Sequence, residues 1–321
     1  LSAIIQKTTG EKLVDYLDSR LWKPLNIPKP AWDTCPKGIN TGGWGLHIRT
    51  EDIAKLGQLY LQKGMWNGKR LLSEDWVEMA TTRQTSNGSN PDNDWEQGYG
   101  YQFWMCRHGA YRGDGAFGQF CIVMPEQDAV LVGTSGTYDM WKVMNIAWEE
   151  LLPAFKVESL PENKMEGDKL QTQSSALALP PIKGQISSPL SKKLRKKTFQ
   201  FEDNQAGIQS IQFDLHDDAH TIVMEMKGGT QTLEIGSGRY AKGELNQTIP
   251  YADRILPAIA SSGAWTSDNE YQLRIYFSRD PARLTYTFKF EEDQVTWDSK
   301  LEYSIFGAQE TPQLTGNVMT R

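Results

Sequence analysis

Residues 111–136 read YRGDGAFGQFCIVMPEQDAVLVGTSG, and the fold of the first half of the chain turns on them. Residues 116–124 alternate and then run apolar, residues 125–128 form a turn cluster, and residues 129–132 are a second short apolar run. Two such runs joined by a short polar connection describe an antiparallel pair of strands. Gly113, Gly115 and Gly118 punctuate the pattern. Glycine inside a strand marks a bulge, a bend, or a place where another backbone or a ligand comes close. Taken by themselves the residues favour a simple bend.

Upstream of this stretch the pattern is helical. LSAIIQK opens in helical periodicity, residues 8–10 interrupt it, and Leu13, Tyr16, Leu17 and Leu21 resume it until Pro24 stops the run. Residues 25–49 are loop-like and include the glycine-rich run TGGWGL at 41–46. Thr50 is expected to cap a helix with Glu51 and Asp52 in its first turn and Ile53, Leu56, Tyr60 and Leu61 on its apolar face, ended by Gly64. Asn67-Gly68 is a tight turn, Ser73 caps a short helix, and residues 82–95 form a polar loop. Tyr99, Tyr101 and Phe103 alternate as a strand would, and Asp139 caps a closing helix that Pro153 ends. Helices, an antiparallel sheet and a further helix describe an α+β order.

Beyond residue 157 the composition shifts. Residues 158–197 contain Pro180-Pro181 and the basic run SKKLRKK, and are expected to form a linker with a solvated tether at its end. Residues 198–321 carry alternating segments at 208–215, 221–226, 232–235, 271–277, 284–290 and 295–303, the rhythm of a small all-β barrel or sandwich. The expected division is therefore 1–157, 158–197 and 198–321.

With 39% hydrophobic and 23% charged residues in 321, the composition is that of a globular chain long enough for two cores. A net charge of −6 argues against a general nucleic-acid binder, which needs clustered Lys and Arg. No run reaches the roughly twenty apolar residues of a membrane-crossing helix. Cys35, Cys106 and Cys121 are too few and too scattered for a disulfide scaffold or a zinc site, although one pair could form in an oxidising compartment. His47, His108, His216 and His220 show no metal-ligand spacing, and no metal or cofactor is expected.

Four stretches then combine. LSAIIQKTTGEKLVDYLDSRLWKPLNI, TGGWGLHIRTEDIAKLGQLYLQKG, YGYQFW and GDGAFGQ, in this order and spacing, resemble the C-terminal part of the catalytic domain of penicillin-recognising serine hydrolases, the group of class C β-lactamases, DD-peptidases and related esterases and amide hydrolases. The resemblance covers about half the chain and leaves the β-rich tail out. It implies acyl transfer by the serine of a Ser-x-x-Lys motif, helped by Tyr-x-Asn and closed on one side by a Lys-Thr-Gly or His-x-Gly strand. No serine of this chain has lysine three residues later. The resemblance implies that both missing motifs stand upstream, so the chain is expected to be truncated and inactive alone. The missing N-terminal part of the same protein, or self-association, is expected to cover the strand edge left open.

On the same resemblance Gly113, Asp114 and Gly115 occupy the place of Lys-Thr-Gly, and Ala116 would supply the oxyanion-hole N–H. Gly113 stands where the lysine that holds a substrate carboxylate would be, which leaves an ester, amide or peptide substrate open. Arg112 or Asp114 could restore the charge, but a solvent-facing Arg112–Asp114 pair is the simpler expectation. Trp95, Tyr99, Tyr101 and Trp104 either wall a cleft or pack the core. Ser267-Asp268-Asn269 and Arg112-Gly113-Asp114 match short motifs known elsewhere, and both are read as coincidence. The family places the protein in the periplasm or outside the cell. The alternative function is a non-catalytic binding protein on a hydrolase-like scaffold, recognising a partner such as a cell-wall component.

Overall fold

The computed structural model describes residues 1–195, 197–216, 219–246, 258–304, 309–310 and 312–319. The chain divides into two compact units, Leu1–Glu158 and Ser159–Arg321.

The first unit opens with α1 (Ser2–Thr9), ended by Gly10 in the left-handed conformation with its N–H on Gln6 O. A short α2 (Leu13–Tyr16) runs into a π-helical turn, Asp18–Trp22. Trp22, Leu25 and Ile27 pack with Leu59 into one apolar cluster. β1 (Ala31–Trp32) and β2 (Leu46–His47) pair across the glycine-rich run. α3 (Thr50–Leu61) follows with Arg49, not Thr50, at the cap position. Thr50 is already helical, and its hydroxyl lies 2.7 Å from that of Thr134 instead of turning back on its own helix. β3 (Met65–Trp66) and β4 (Lys69–Arg70) form a hairpin through Asn67 and Gly68, whose φ values of 47° and 76° are those of the expected tight turn. α4 (Glu74–Ala80) is capped by Ser73, which accepts from Trp76 N–H at 3.2 Å.

Tyr99, Tyr101 and Phe103 do not form the expected strand. Gly98 and Gln102 both have positive φ, which breaks the extended run, and only β5 (Trp104–Met105) remains. β6 (Tyr111–Gly115), β7 (Gln119–Met124) and β8 (Ala129–Gly133) complete an antiparallel sheet in the order β5-β6-β7-β8. Residues 116–118, expected inside a strand, are the turn between β6 and β7, because Phe117 and Gly118 take φ of 66° and 85°. α5 (Met140–Ile146) is capped by Asp139, which accepts from Lys142 N–H at 3.0 Å. One sheet face packs against α3: a Cβ at Gly57 would lie 2.5 Å from Val130 Cγ1, so only glycine permits this approach. The other packs against α5 and the π-helical turn Ala147–Leu151 that follows it, through Phe120, Ile122, Met144 and Trp148. The unit is α+β, an antiparallel sheet flanked by helices.

In the second unit, residues expected as linker carry α6 (Lys164–Ala176), exposed along its length. The basic run is not a free tether. It forms α7 (Ser191–Leu194), whose Leu194 joins the core of the β structure while Lys192 and Lys193 stay in solvent, and Arg195 and Lys197 pair with Asp214 and Asp293 at 3.2 and 2.7 Å. Leucine in the run is what anchors it.

The remaining strands are β9 (Thr198–Phe201), β10 (Ile208–His216), β11 (Ala219–Met226), β12 (Gly229–Gly236), β13 (Ala241–Glu244), β14 (Ala258–Trp265), β15 (Glu270–Phe277), β16 (Arg283–Glu291), β17 (Gln294–Glu302), β18 (Gln309–Glu310) and β19 (Leu314–Val318). Nine of them close a barrel in the order β12-β11-β10-β9-β19-β17-β16-β15-β14, with β14 returning to β12 by a parallel bridge at Gly236 and Ser262. Closure removes the edges that a sandwich would leave. Alternate residues of β15, β16 and β17 point inward, and Phe213, Trp265, Phe288, Phe290 and Trp297 fill the centre. All six alternating segments are strands. β14 escaped the pattern because its inward side includes Ser261, and its Gly263 yields space to Tyr271, whose hydroxyl would stand 2.2 Å from a Cβ.

Candidate active-site wall

β6 is paired along its whole length with β7, but β5 covers only Tyr111 and Arg112. Among the described residues the other edge of Gly113, Asp114 and Gly115 therefore has no strand partner. The open edge leads into the turn 116–118, where Ala116 is exposed. The Ser135 hydroxyl bridges the carbonyls of Phe117 and Gly118 at 3.0 and 2.7 Å, and Thr137 N–H donates to Phe117 O at 3.1 Å. A Cβ at Gly118 would stand 2.2 Å from Ser135 Oγ, so glycine is required for this clasp as well as for the turn.

Arg112 and Asp114 share the face toward α5, and Gly113 lies on the face toward α3 opposite Cys121. The solvent-facing pair expected from the sequence is instead internal. Arg112 is fully buried. Its Nε donates to Asp114 Oδ2 at 2.9 Å, and its Nη1 donates to Asp94 O at 2.9 Å and to Cys106 Sγ at 3.1 Å. The guanidinium stacks 4.5 Å from the Trp95 ring centre and 5.6 Å from that of Trp104. Planarity explains the choice of arginine, since one flat cation can meet a carboxylate edge-on and an indole face-on. Burial pushes the Asp114 carboxyl up against the lowering effect of Arg112, and it pushes the Cys106 thiol up to about 11. With Arg112 buried and paired to Asp114, Arg-Gly-Asp also cannot serve as an exposed recognition tripeptide.

Asp94, itself buried, holds the neighbouring loop by accepting from Arg107 N–H, the Arg107 side chain and Trp148 Nε1. The sequence reading missed Asp94, Arg107 and Trp148, because nothing distinguishes one buried aspartate within a polar loop. Of the aromatic candidates, Trp95 reaches Arg112 and stacks on Trp141. Tyr99 packs edge-on against Trp104, and Tyr101 turns away to Trp76 of α4. The structure thus joins Arg112, Asp114, Trp95 and, through Trp104, Tyr99, and leaves Tyr101 apart.

On the opposite face an apolar cavity of about 250 Å³ lies behind Gly113, among Leu21, Leu25, Ile53, Leu56 and Cys121. Asp52 also reaches its wall, with its carboxylate taken by Arg49 and Lys55. His47 Nε2 lies 2.9 Å from Asp33 Oδ1, and His220 is buried in the barrel. The His216 side chain lies outside the described residues. Ser267, Asp268 and Asn269 lie in the turn between β14 and β15, in the other unit. Among the described residues no three His, Cys, Asp or Glu side chains are placed to hold a metal, no helix is long and apolar enough to cross a membrane, and all three cysteines are free.

A family model described as Beta-lactamase matches residues 1–146. Over this segment the chain matches the family of penicillin-recognising serine hydrolases. The 6-aminohexanoate-dimer hydrolase of Paenarthrobacter ureafaciens is 27% identical to the hydrolase segment over 146 residues, covering 43% of the chain and 37% of that protein. A solved Bacillus anthracis protein, provisionally named a 6-aminohexanoate-dimer hydrolase, is 24% identical with a TM-score of 0.39, covering 47% of the chain and 42% of its own. The octameric penicillin-binding protein homologue of Pyrococcus abyssi is 14% identical with a TM-score of 0.31 over 98% of the chain and 62% of its own. The chain spans about two fifths of the length of the 6-aminohexanoate-dimer hydrolases it matches.

Proposed function

We propose that the chain is the C-terminal portion of a serine hydrolase that cleaves an ester, amide or peptide bond through an acyl-enzyme, with residues 1–157 forming part of the catalytic domain, 158–197 connecting it, and 198–321 an accessory barrel. The observation that carries this is the unpaired edge of Gly113, Asp114 and Gly115 leading into the clasped turn at Ala116, inside the family-matched segment. On this reading a substrate lies along the open edge and the Ala116 N–H stabilises the oxyanion. A backbone donor held by the Ser135 clasp is already oriented before charge develops, which is when such donors are most effective. Arg112 positions the strand from within, with Trp95 stacked on its guanidinium and Tyr99 packed behind Trp104, while Tyr101 lies apart against Trp76.

The serine and its lysine come from polypeptide that this chain does not contain, so the chain alone forms no acyl-enzyme. The outer edge of β8, which has no strand partner among the described residues, is where that polypeptide or a second copy would add to the sheet. Localisation in the periplasm or outside the cell follows the family. The test is fluorophosphonate or penicillin labelling read by intact mass. We expect no adduct on this chain, and one serine adduct on a polypeptide extended upstream through a Ser-x-x-Lys. Stoichiometric labelling of the chain alone would overturn the assignment of the nucleophile. An unlabelled extended protein with an intact motif would point to the binding-protein alternative.

A further inference from the structure

We propose that the cavity behind Gly113 is a binding pocket for a small, uncharged, apolar group, and that in the hydrolase this group belongs to the substrate; the second half rests on the function proposed above. The cavity measures about 250 Å³. Dry apolar cavities of about 150 Å³ already accept a benzene-sized molecule, so this one takes a ring or an aliphatic chain of about six to eight carbons.

The wall offers such a group no competitor. Leu21, Leu25, Ile53 and Leu56 supply its apolar surface. Asp52 is its only charged residue, and the Arg49 and Lys55 contacts at 2.9 and 2.7 Å leave no unbalanced charge to attract a cation. The Cys121 thiol donates to Ile53 O at 3.7 Å, and burial pushes its pKa up to about 12, so it stays neutral. Gln119, the other polar side chain of the wall, donates its amide N–H to Ala116 O and Ser135 O at 3.3 and 2.6 Å, so an ordered water, which needs two to four polar partners, finds few here.

Gly113 keeps the space open. A Cβ there would sit 3.9 Å from Cys121 Cβ, an ordinary contact, so a side chain would enter the cavity without clash. Glycine leaves that volume to a ligand, and the neutral lining selects an apolar one over a carboxylate or an amine.

The test is methyl NMR of this chain titrated with toluene, benzoate and benzylamine. Toluene is expected to shift the methyls of Ile27, Ile48, Ile53 and Leu56 saturably, the charged analogues are not, and Gly113→Val should weaken toluene by about tenfold or more by filling the space. Bound toluene should also slow alkylation of Cys121 in the unaltered chain, which keeps the test decisive if the valine variant does not fold. Absent or unsaturable toluene shifts, equal response to benzoate, or unchanged Cys121 alkylation would overturn the pocket. In the upstream-extended protein, kcat/KM across esters of increasing acyl length should rise to about six to eight carbons. A flat series would overturn the substrate half while toluene binding stands, and a protein that never acylates would remove that half together with the hydrolase function.

Discussion

Arg112 Nη1 and the main-chain oxygen of Asp94 lie 2.9 Å apart inside the first unit, joining residues separated by 18 positions. The contact ties the polar loop to the strand whose edge is open. Arg112→Met should therefore destabilise the first unit by about 3–5 kcal/mol, since it leaves Asp114 buried without its partner. Arg112→Lys should recover only part of the loss, because an ammonium cannot meet Asp114, Asp94 and the Trp95 face together. Urea unfolding followed by near-ultraviolet circular dichroism reads both, and a loss under about 1 kcal/mol for the methionine variant would contradict the network.

The approach of α3 to the sheet depends on a missing side chain. Gly57→Ala should cost about 1–3 kcal/mol, because the new Cβ would lie 2.5 Å from Val130 Cγ1 and 2.9 Å from Cys121 Sγ. Gly133→Ala, with nothing within 4 Å, should change stability by no more than about 0.5 kcal/mol. Equal effects in denaturant titrations of the two variants would disprove this account.

Asp52 sets an acid limit. Burial raises its pKa, but hydrogen bonds from Lys55 and Arg49 outweigh that effect and leave it below the usual carboxylate value. A depressed folded-state pKa means stability that is present above the unfolded value of about 3.9 and lost as pH falls through the folded one. The stability difference between the unaltered chain and Asp52→Asn should accordingly be constant from neutral pH to about pH 5 and shrink below about pH 4. A difference that persists at pH 2.5 would rule out the ion pairs as its source.

In the barrel, His220 Nδ1 lies 2.8 Å from the Tyr271 hydroxyl and Nε2 lies 2.8 Å from Ile186 O. Tyr271→Phe should lower the stability of the second unit by about 1–3 kcal/mol, the cost of leaving a buried polar group without that partner. Hydrogen exchange should show the loss in the barrel strands and not in β6 or β7.

The thiols should separate by reactivity. Backbone hydrogen bonds at Ile39 and Lys37 lower the Cys35 pKa, whereas burial holds Cys106 and Cys121 near about 11 and 12. Iodoacetamide at pH 8 should alkylate Cys35 first, since the thiolate is the reacting form. Peptide mass spectrometry showing Cys121 modified first would contradict this order.

Much of the architecture could be read from local pattern. Ser73 and Asp139 sit at the helix starts their chemistry predicts, Asn67-Gly68 makes its hairpin, and six alternating segments lie in the barrel wall. Failures came where long-range contacts override local preference. Thr50 bonds Thr134 instead of capping, and Leu194 pulls a basic run into a core. Among the described residues the barrel closes through a parallel bridge between residues 236 and 262 and the Ser261 hydroxyl on Glu234 O, which no alternation can reveal.

The sequence by itself determined the class of the first unit, the β nature of the second, and the absence of a Ser-x-x-Lys, because periodicity, caps and motifs are local properties. Tertiary structure decided what residues 111–118 do. A two-residue period says that Arg112 and Asp114 share a face and Gly113 takes the other, but not which face meets which helix. Packing against Trp95 and Asp94 turns the charged pair inward, and Gly113 faces the apolar cavity instead.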